Sequence, residues 1–236
     1  MSYNKLIGFG CSATYGSELL NPNLENSWDG QKENIKYRES KVWLGVLAKR
    51  LGLEVDNYAQ PSCSNYAIQE KFAEWFNSRD KQQSVIVLIG WSGHQRTSWW
   101  HEKESWIHAR HSHKHDGIDQ CRLDSKNLFE DSLRDYMKYS IKRSKEVTNN
   151  AKLFVNSVCK SHNIPIIQFN AWPEVVTNSY QLSNYHQGDQ NMKTVLKEEG
   201  IRLNKNFLAE GEHPNELGHE YYVEMLYSWI KAKNII

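Results

Sequence analysis

The stretch Lys5-Leu6-Ile7-Gly8-Phe9-Gly10-Cys11-Ser12-Ala13-Thr14-Tyr15-Gly16 decides how the chain is read. Its first half is a short apolar run that reads as a buried strand. Glycines then permit a tight turn, and a serine stands at the strand's end. Three further runs share the strand character: Leu53 to Ala59, Ser84 to Gly90 and Ile164 to Asn170. Between the strands, apolar residues recur at helical spacing, as in Trp43, Val46, Leu47 and Leu51 or Ile68, Phe72, Trp75 and Phe76. Leu133, Met137 and Ile141, followed by Ala151, Phe154, Val155 and Val158, predict a long helical stretch with a break near Asn149 and Asn150; Tyr222, Leu226, Trp229 and Ile230 mark a final helix. Parallel strands need crossovers and helices supply them, so the expected fold class is α/β, a three-layer α/β/α sandwich around a parallel sheet. In such sheets sites form beyond the carboxyl ends of strands, here just after Gly10, Ala59, Gly90 and Asn170.

A chain of 236 residues with 39% hydrophobic and 24% charged residues can bury a full core, and a single domain over residues 1–236 is expected. Against 28 acidic side chains the 29 lysines and arginines leave a net charge of +1, which gives no general pull toward nucleic acid or anionic membrane. The apolar run at the amino terminus is too short for a signal peptide and no stretch suits a membrane helix, so a cytoplasmic location is expected. Cys11, Cys63, Cys121 and Cys159 are scattered and read as free thiols. Oligomeric state is not legible. The polar excursion at about 99–125 carries His101, His108, His111, His113 and His115, whose spacing matches no specific metal motif.

Chemistry concentrates at the two ends of the chain. Ser12 either caps the helix that follows it or points its hydroxyl into a cleft as a nucleophile. Glu210-Gly211-Glu212-His213-Pro214 precedes the last helix and offers His213 as base, with Glu210 as the carboxylate that orients it.

These segments resemble signature blocks of the SGNH, or GDSL, hydrolase superfamily. Gly10-Cys11-Ser12-Ala13-Thr14-Tyr15-Gly16 is similar to the GDSxTxG block and Glu210-Gly211-Glu212-His213-Pro214 to DxxHP. Asn57-Tyr58-Ala59-Gln60-Pro61-Ser62-Cys63-Ser64-Asn65 and Gly90-Trp91-Ser92-Gly93 are weaker counterparts of the middle blocks, in the right order. The resemblance implies a flavodoxin-like α/β/α fold and hydrolysis of acetyl or acyl esters of a small molecule or carbohydrate, without metal or organic cofactor. It implies Ser12, His213 and Glu210 as the triad, and an oxyanion hole from the N–H groups of Ser12 and Ser62. Ser92 stands where the family has asparagine, and Asn65 is the candidate substitute donor. Trp91, His94 and Arg96 follow the third strand and are candidate substrate contacts, Arg96 for an acidic group. The alternative is a catalytically weak glycan- or ligand-binding module on the same fold. A phosphoesterase using the histidines ranks below both.

Overall fold

The computed structural model describes residues 3–25, 28, 30–94, 96–101, 105–110, 130–172, 186 and 191–236. In chain order its elements are β1 (Lys5–Gly10), α1 (Ser12–Tyr15), α2 (Lys32–Lys41), α3 (Trp43–Leu51), β2 (Glu54–Asn57), α4 (Asn65–Ser78), β3 (Val85–Trp91), β4 (Arg96–His101), β5 (Ser105–Arg110), α5 (Glu130–Ser161), β6 (Ile166–Asn170), α6 (Met192–Leu203) and α7 (Glu216–Ala232). Strands β2, β1, β3 and β6 lie side by side in that order, all parallel. The order reverses at β1, with β2 on one side and β3 on the other. That is the switch point where α/β sheets open a crevice at the carboxyl ends of their strands.

Neighbouring residues of β1 show why helices cover both faces, since successive side chains of a strand point to opposite sides. Phe9 meets Phe72 and Trp75 of α4, with ring centroids 5.7 Å apart in both pairs. A Cβ on Gly8 would stand 2.1 Å from Leu44 of α3. Helix α4 therefore lies on one face, where Phe72 packs edge-on against Phe154 of α5. Helix α3 lies on the other, where Phe169 of β6 meets Trp43 and Tyr222 of α7. The expected three-layer α/β/α sandwich is thus the observed architecture.

The differences from the sequence reading have local causes. Helix α5 runs through Asn149 and Asn150 without a break, because Ala151, Val155 and Cys159 beyond them are fully buried and hold the stripe in register. Helix α2 has no apolar stripe to betray it. It is held by polar groups, Asn34 bonding Leu19 O and Asn21 N–H and Arg38 lying 3.7 Å from the centroid of the Tyr15 ring. The excursion begins as an antiparallel hairpin, β4 with β5. Trp99, Trp100, Trp106 and Ile107 are residues that strands favour, and the histidines among them obscured the pattern.

The one-turn helix α1 is seated by two glycines paired across β1 and β3, Gly10 and Gly90. Cβ atoms built on them would come within 2.3 and 2.4 Å of Thr14 Oγ1, and the one on Gly10 within 2.8 Å of the Gly90 carbonyl oxygen. Only hydrogen at both positions lets the turn after β1 lie against the sheet. Gly10→Ala is expected to cost about 3 kcal/mol, the overpacking penalty of a methyl group facing backbone. Urea denaturation checks it, and a loss below about 1 kcal/mol would show that α1 is free to move away from the sheet.

Candidate active site

Ser12 occupies the first helical position of α1, and the cap position belongs to Cys11, whose side chain makes no capping bond. The hydroxyl of Ser12 is buried and has no hydrogen-bond partner among the described residues. That removes the capping alternative, because a capping serine spends its oxygen on a backbone N–H. A buried donor without a partner costs about 1–3 kcal/mol, which is uncommon where the group is merely structural.

His213 sits in a tight loop ahead of α7. Its carbonyl accepts from Ala209 N–H at 2.8 Å, the Glu212 N–H returns to Ala209 O, and Asn215 caps the helix through Gly218 N–H. The carboxylate on its ring is Glu18. Glu18 Oε2 lies 2.6 Å from His213 Nδ1, and the same carboxylate accepts the N–H groups of Gly211 at 2.8 Å and His213 at 3.3 Å. Glu210, which the sequence offered for this role, is exposed, and the carboxylate that meets Nδ1 is Glu18 instead. Gly211 explains itself in this geometry: a Cβ there would stand 2.5 Å from Glu18 Oε1. Burial pushes the Glu18 carboxyl up, but the bonds from His213 and Gly211 and the nearby imidazole outweigh it and hold the group below its ordinary value. Glu18 was invisible in the sequence because its partner is 195 residues away. The available signal was that it is the first acidic residue of the chain and follows Ser12 closely.

Trp172, just past β6, ties the two ends of the chain together. Its indole N–H points at Cys11 Sγ at 3.0 Å, and its ring meets His213 edge-on at 5.3 Å. Arg96 and Lys193 approach the same ring, their charged groups 5.4 and 5.2 Å from its centroid. Lys193 is paired with Glu212. Burial pushes the Cys63 thiol up to about 12, with Cys11 adding to the shift and Lys71 and Arg96 opposing it, so the second block is not a thiolate site.

The middle blocks take a different form from the expected one. Ser62 adopts φ 61°, the left-handed region in which glycine is at ease, so the serine accepts a backbone shape that favours glycine. Asn65 is buried and its amide is fully committed. Its Oδ1 accepts Ser92 N–H at 2.7 Å, and Nδ2 donates to Ser92 O at 2.8 Å and to Thr148 Oγ1 at 3.1 Å. With both amide hydrogens spent, Asn65 has none left for an oxyanion, and the expectation that it donates there is corrected: it grips Ser92. The Ser92 hydroxyl is left buried without a partner among the described residues. Trp91 is 0% exposed and donates to Gln168 Oε1 at 3.1 Å, which makes it a core residue rather than a pocket wall. His94 is buried too, and Arg96 reaches Trp172.

Two other histidines are held neutral by burial. His219 is driven down to about 3 by burial, with His213 adding to it, and His186 to about 4 by burial alone. Their protonated forms are disfavoured only in the folded state. As pH falls below about 6.5, the unfolded chain therefore takes up protons first and stability declines until the folded values are reached. The expected slope is about 1.4 kcal/mol per pH unit for each group. Urea midpoints measured between pH 7 and pH 4.5 should fall less steeply in a His186→Gln/His219→Gln protein than in the wild type. Equal slopes would place the acid sensitivity elsewhere.

Among the described residues no group of three metal-ligating side chains is placed to hold an ion; His111, His113 and His115 lie outside those residues. No described helix is long and apolar enough to cross a membrane.

No protein-family model matches the chain, and no curated protein matches it by sequence. Solved structures do. The chain is similar to a family 2 carbohydrate esterase with a carbohydrate-binding domain from Corynascus thermopiles (Myceliophthora fergusii), at 12% identity and TM-score 0.49, covering 99% of this chain and 67% of that one. It is similar to the esterase EstA from Pseudoalteromonas sp. at 10% identity and TM-score 0.47, covering 97% of each chain. A member of the lipolytic G-D-S-L family from Veillonella parvula aligns at 12% identity and TM-score 0.36, over 95% of this chain and 98% of the other.

Proposed function

We propose that the chain is a serine hydrolase of the SGNH type that cleaves carboxylic esters, acetyl or acyl esters of a small molecule or carbohydrate, through an acyl-enzyme on Ser12. The observation that carries this reading is the Glu18–His213 pair, bound through Nδ1 and joined through Trp172 to the segment that bears a buried, unpartnered serine hydroxyl. In this reading His213 Nε2 takes the Ser12 proton as Oγ attacks the acyl carbon. The imidazolium, stabilised by Glu18, returns the proton to the leaving alcohol, and water then repeats the sequence to free the acid. The developing oxyanion is held by three donors. Ser12 N–H has no intrahelical carbonyl to bond at the first position of a helix. Ser62 presents its N–H from a glycine-like backbone, and the Ser92 hydroxyl lies on a backbone gripped by Asn65. Each such donor is worth about a hundred- to a thousandfold in rate.

The test is treatment of the folded protein with a fluorophosphonate probe, followed by peptide mass spectrometry. Labelling confined to Ser12 is expected. Absence of labelling together with tight binding of an acetylated glycan would replace this reading with the binding module, which the loss of a side-chain amide at Ser92 favours.

A further inference from the structure

Arg96 stands out among the charged groups around the site. Its guanidinium lies 5.4 Å from the centre of Trp172, the ring that also meets His213 and, through its N–H, Cys11 beside Ser12. The other positively charged or protonatable groups around that ring have carboxylates, Lys193 with Glu212 and His213 with Glu18. Among the described residues Arg96 has none, and its Nη1 is a buried donor with no hydrogen-bond partner. Lying over an indole contributes about 0.5–1 kcal/mol at exposed sites and about 2 kcal/mol or more when desolvated, but it leaves the N–H groups in the guanidinium plane unsatisfied. A buried charged donor without a partner costs more than that. The fork of an arginine matches planar oxyanions, and a single unanswered positive charge balances a single negative one. A carboxylate fits that description better than a doubly charged phosphate.

We infer that Arg96 binds a carboxylate carried by the substrate, so that the enzyme acts on acidic esters in which the acyl group or the alcohol bears an acid. The inference rests on the serine-hydrolase reading and deepens it. Arg96 is here a specificity residue. It touches a part of the substrate that does not react, and its contribution is read as the preference for acidic over neutral esters.

The experiment compares kcat/KM for two matched pairs, p-nitrophenyl acetate against mono-p-nitrophenyl succinate, and acetylated methyl glucoside against acetylated methyl glucuronide. The wild type is expected to prefer the acidic member of one pair, and the pair concerned shows whether the acid lies on the acyl or the alcohol side. Arg96→Gln should reduce that acidic-to-neutral ratio by roughly ten- to a hundredfold, the range for loss of a charge-assisted bond. Arg96→Lys, which keeps the charge and loses the fork, should fall between. In parallel, calorimetric titration of monomethyl succinate and methyl glucuronide into Ser12→Ala and Ser12→Ala/Arg96→Gln proteins separates the two ideas. Turnover through Ser12 with a ratio that Arg96→Gln leaves unmoved overturns the carboxylate inference alone. Arg96-dependent binding with no turnover by the wild type overturns the hydrolase reading and retains the anion site. Absence of both acid preference and Arg96-dependent binding overturns the inference outright.

Discussion

A Ser12→Ala protein is expected to lose about 10⁴- to 10⁶-fold in kcat on any ester that the wild type turns over, since members of a catalytic triad act as a unit and the loss of one removes most of their joint effect. The same protein should be at least as stable as the wild type. Ser12 is 4% exposed, its hydroxyl has no partner among the described residues, and it does not cap α1, so alanine removes an unsatisfied polar group and no hydrogen bond seen there. Activity lost at undiminished stability distinguishes a nucleophile from a structural serine. Initial rates on p-nitrophenyl acetate and a urea denaturation curve on the same preparation measure both. Retained turnover by the alanine protein would falsify the acyl-enzyme mechanism.

The second large effect separates two carboxylates. Glu18→Gln is expected to lower kcat by roughly 10³- to 10⁴-fold, because the amide leaves the shape in place but can no longer hold the imidazole in the required tautomer or stabilise its charged form. Glu210→Gln should stay within about threefold of the wild type, since that side chain is exposed and Nδ1 of His213 is already bound to Glu18. Rates of the two variants on one substrate decide the matter. A deep loss at residue 210 with little change at residue 18 would mean that the loop around His213 is arranged differently during turnover.

How much of this was legible in the sequence follows from how local each feature is. Strands β1, β3 and β6 were readable because they are buried along nearly their whole length and so carry continuous apolar runs. Strand β2 was read too long. It lies at the sheet's edge, and the Asn57 side chain captures Ala59 N–H at 3.1 Å, a turn that apolarity does not announce. Ser12 and His213 announced themselves by neighbouring glycines and a helix start. Glu18 did not. Its role depends on a positive φ of 69° and on a partner at the far end of the chain, neither of which leaves a pattern in nearby residues. Asn65 was visible as a polar residue in the right block, but only the tertiary structure shows that its amide is taken up by Ser92 and Thr148.

In the proposed mechanism nucleophile and orienting carboxylate arrive together, since Ser12 and Glu18 lie on one short segment braced by α2 through Asn34 and Arg38. The base comes from the opposite end of the polypeptide and enters the site only when α7 is laid down on α3. In that mechanism the site has no partially competent form. Until the carboxyl-terminal segment docks, the amino-terminal half holds a serine with no base to take its proton and a glutamate with no imidazole to orient. If the proposed mechanism holds, recovery of catalysis during refolding reports the docking of the carboxyl-terminal segment, however early the sheet itself assembles.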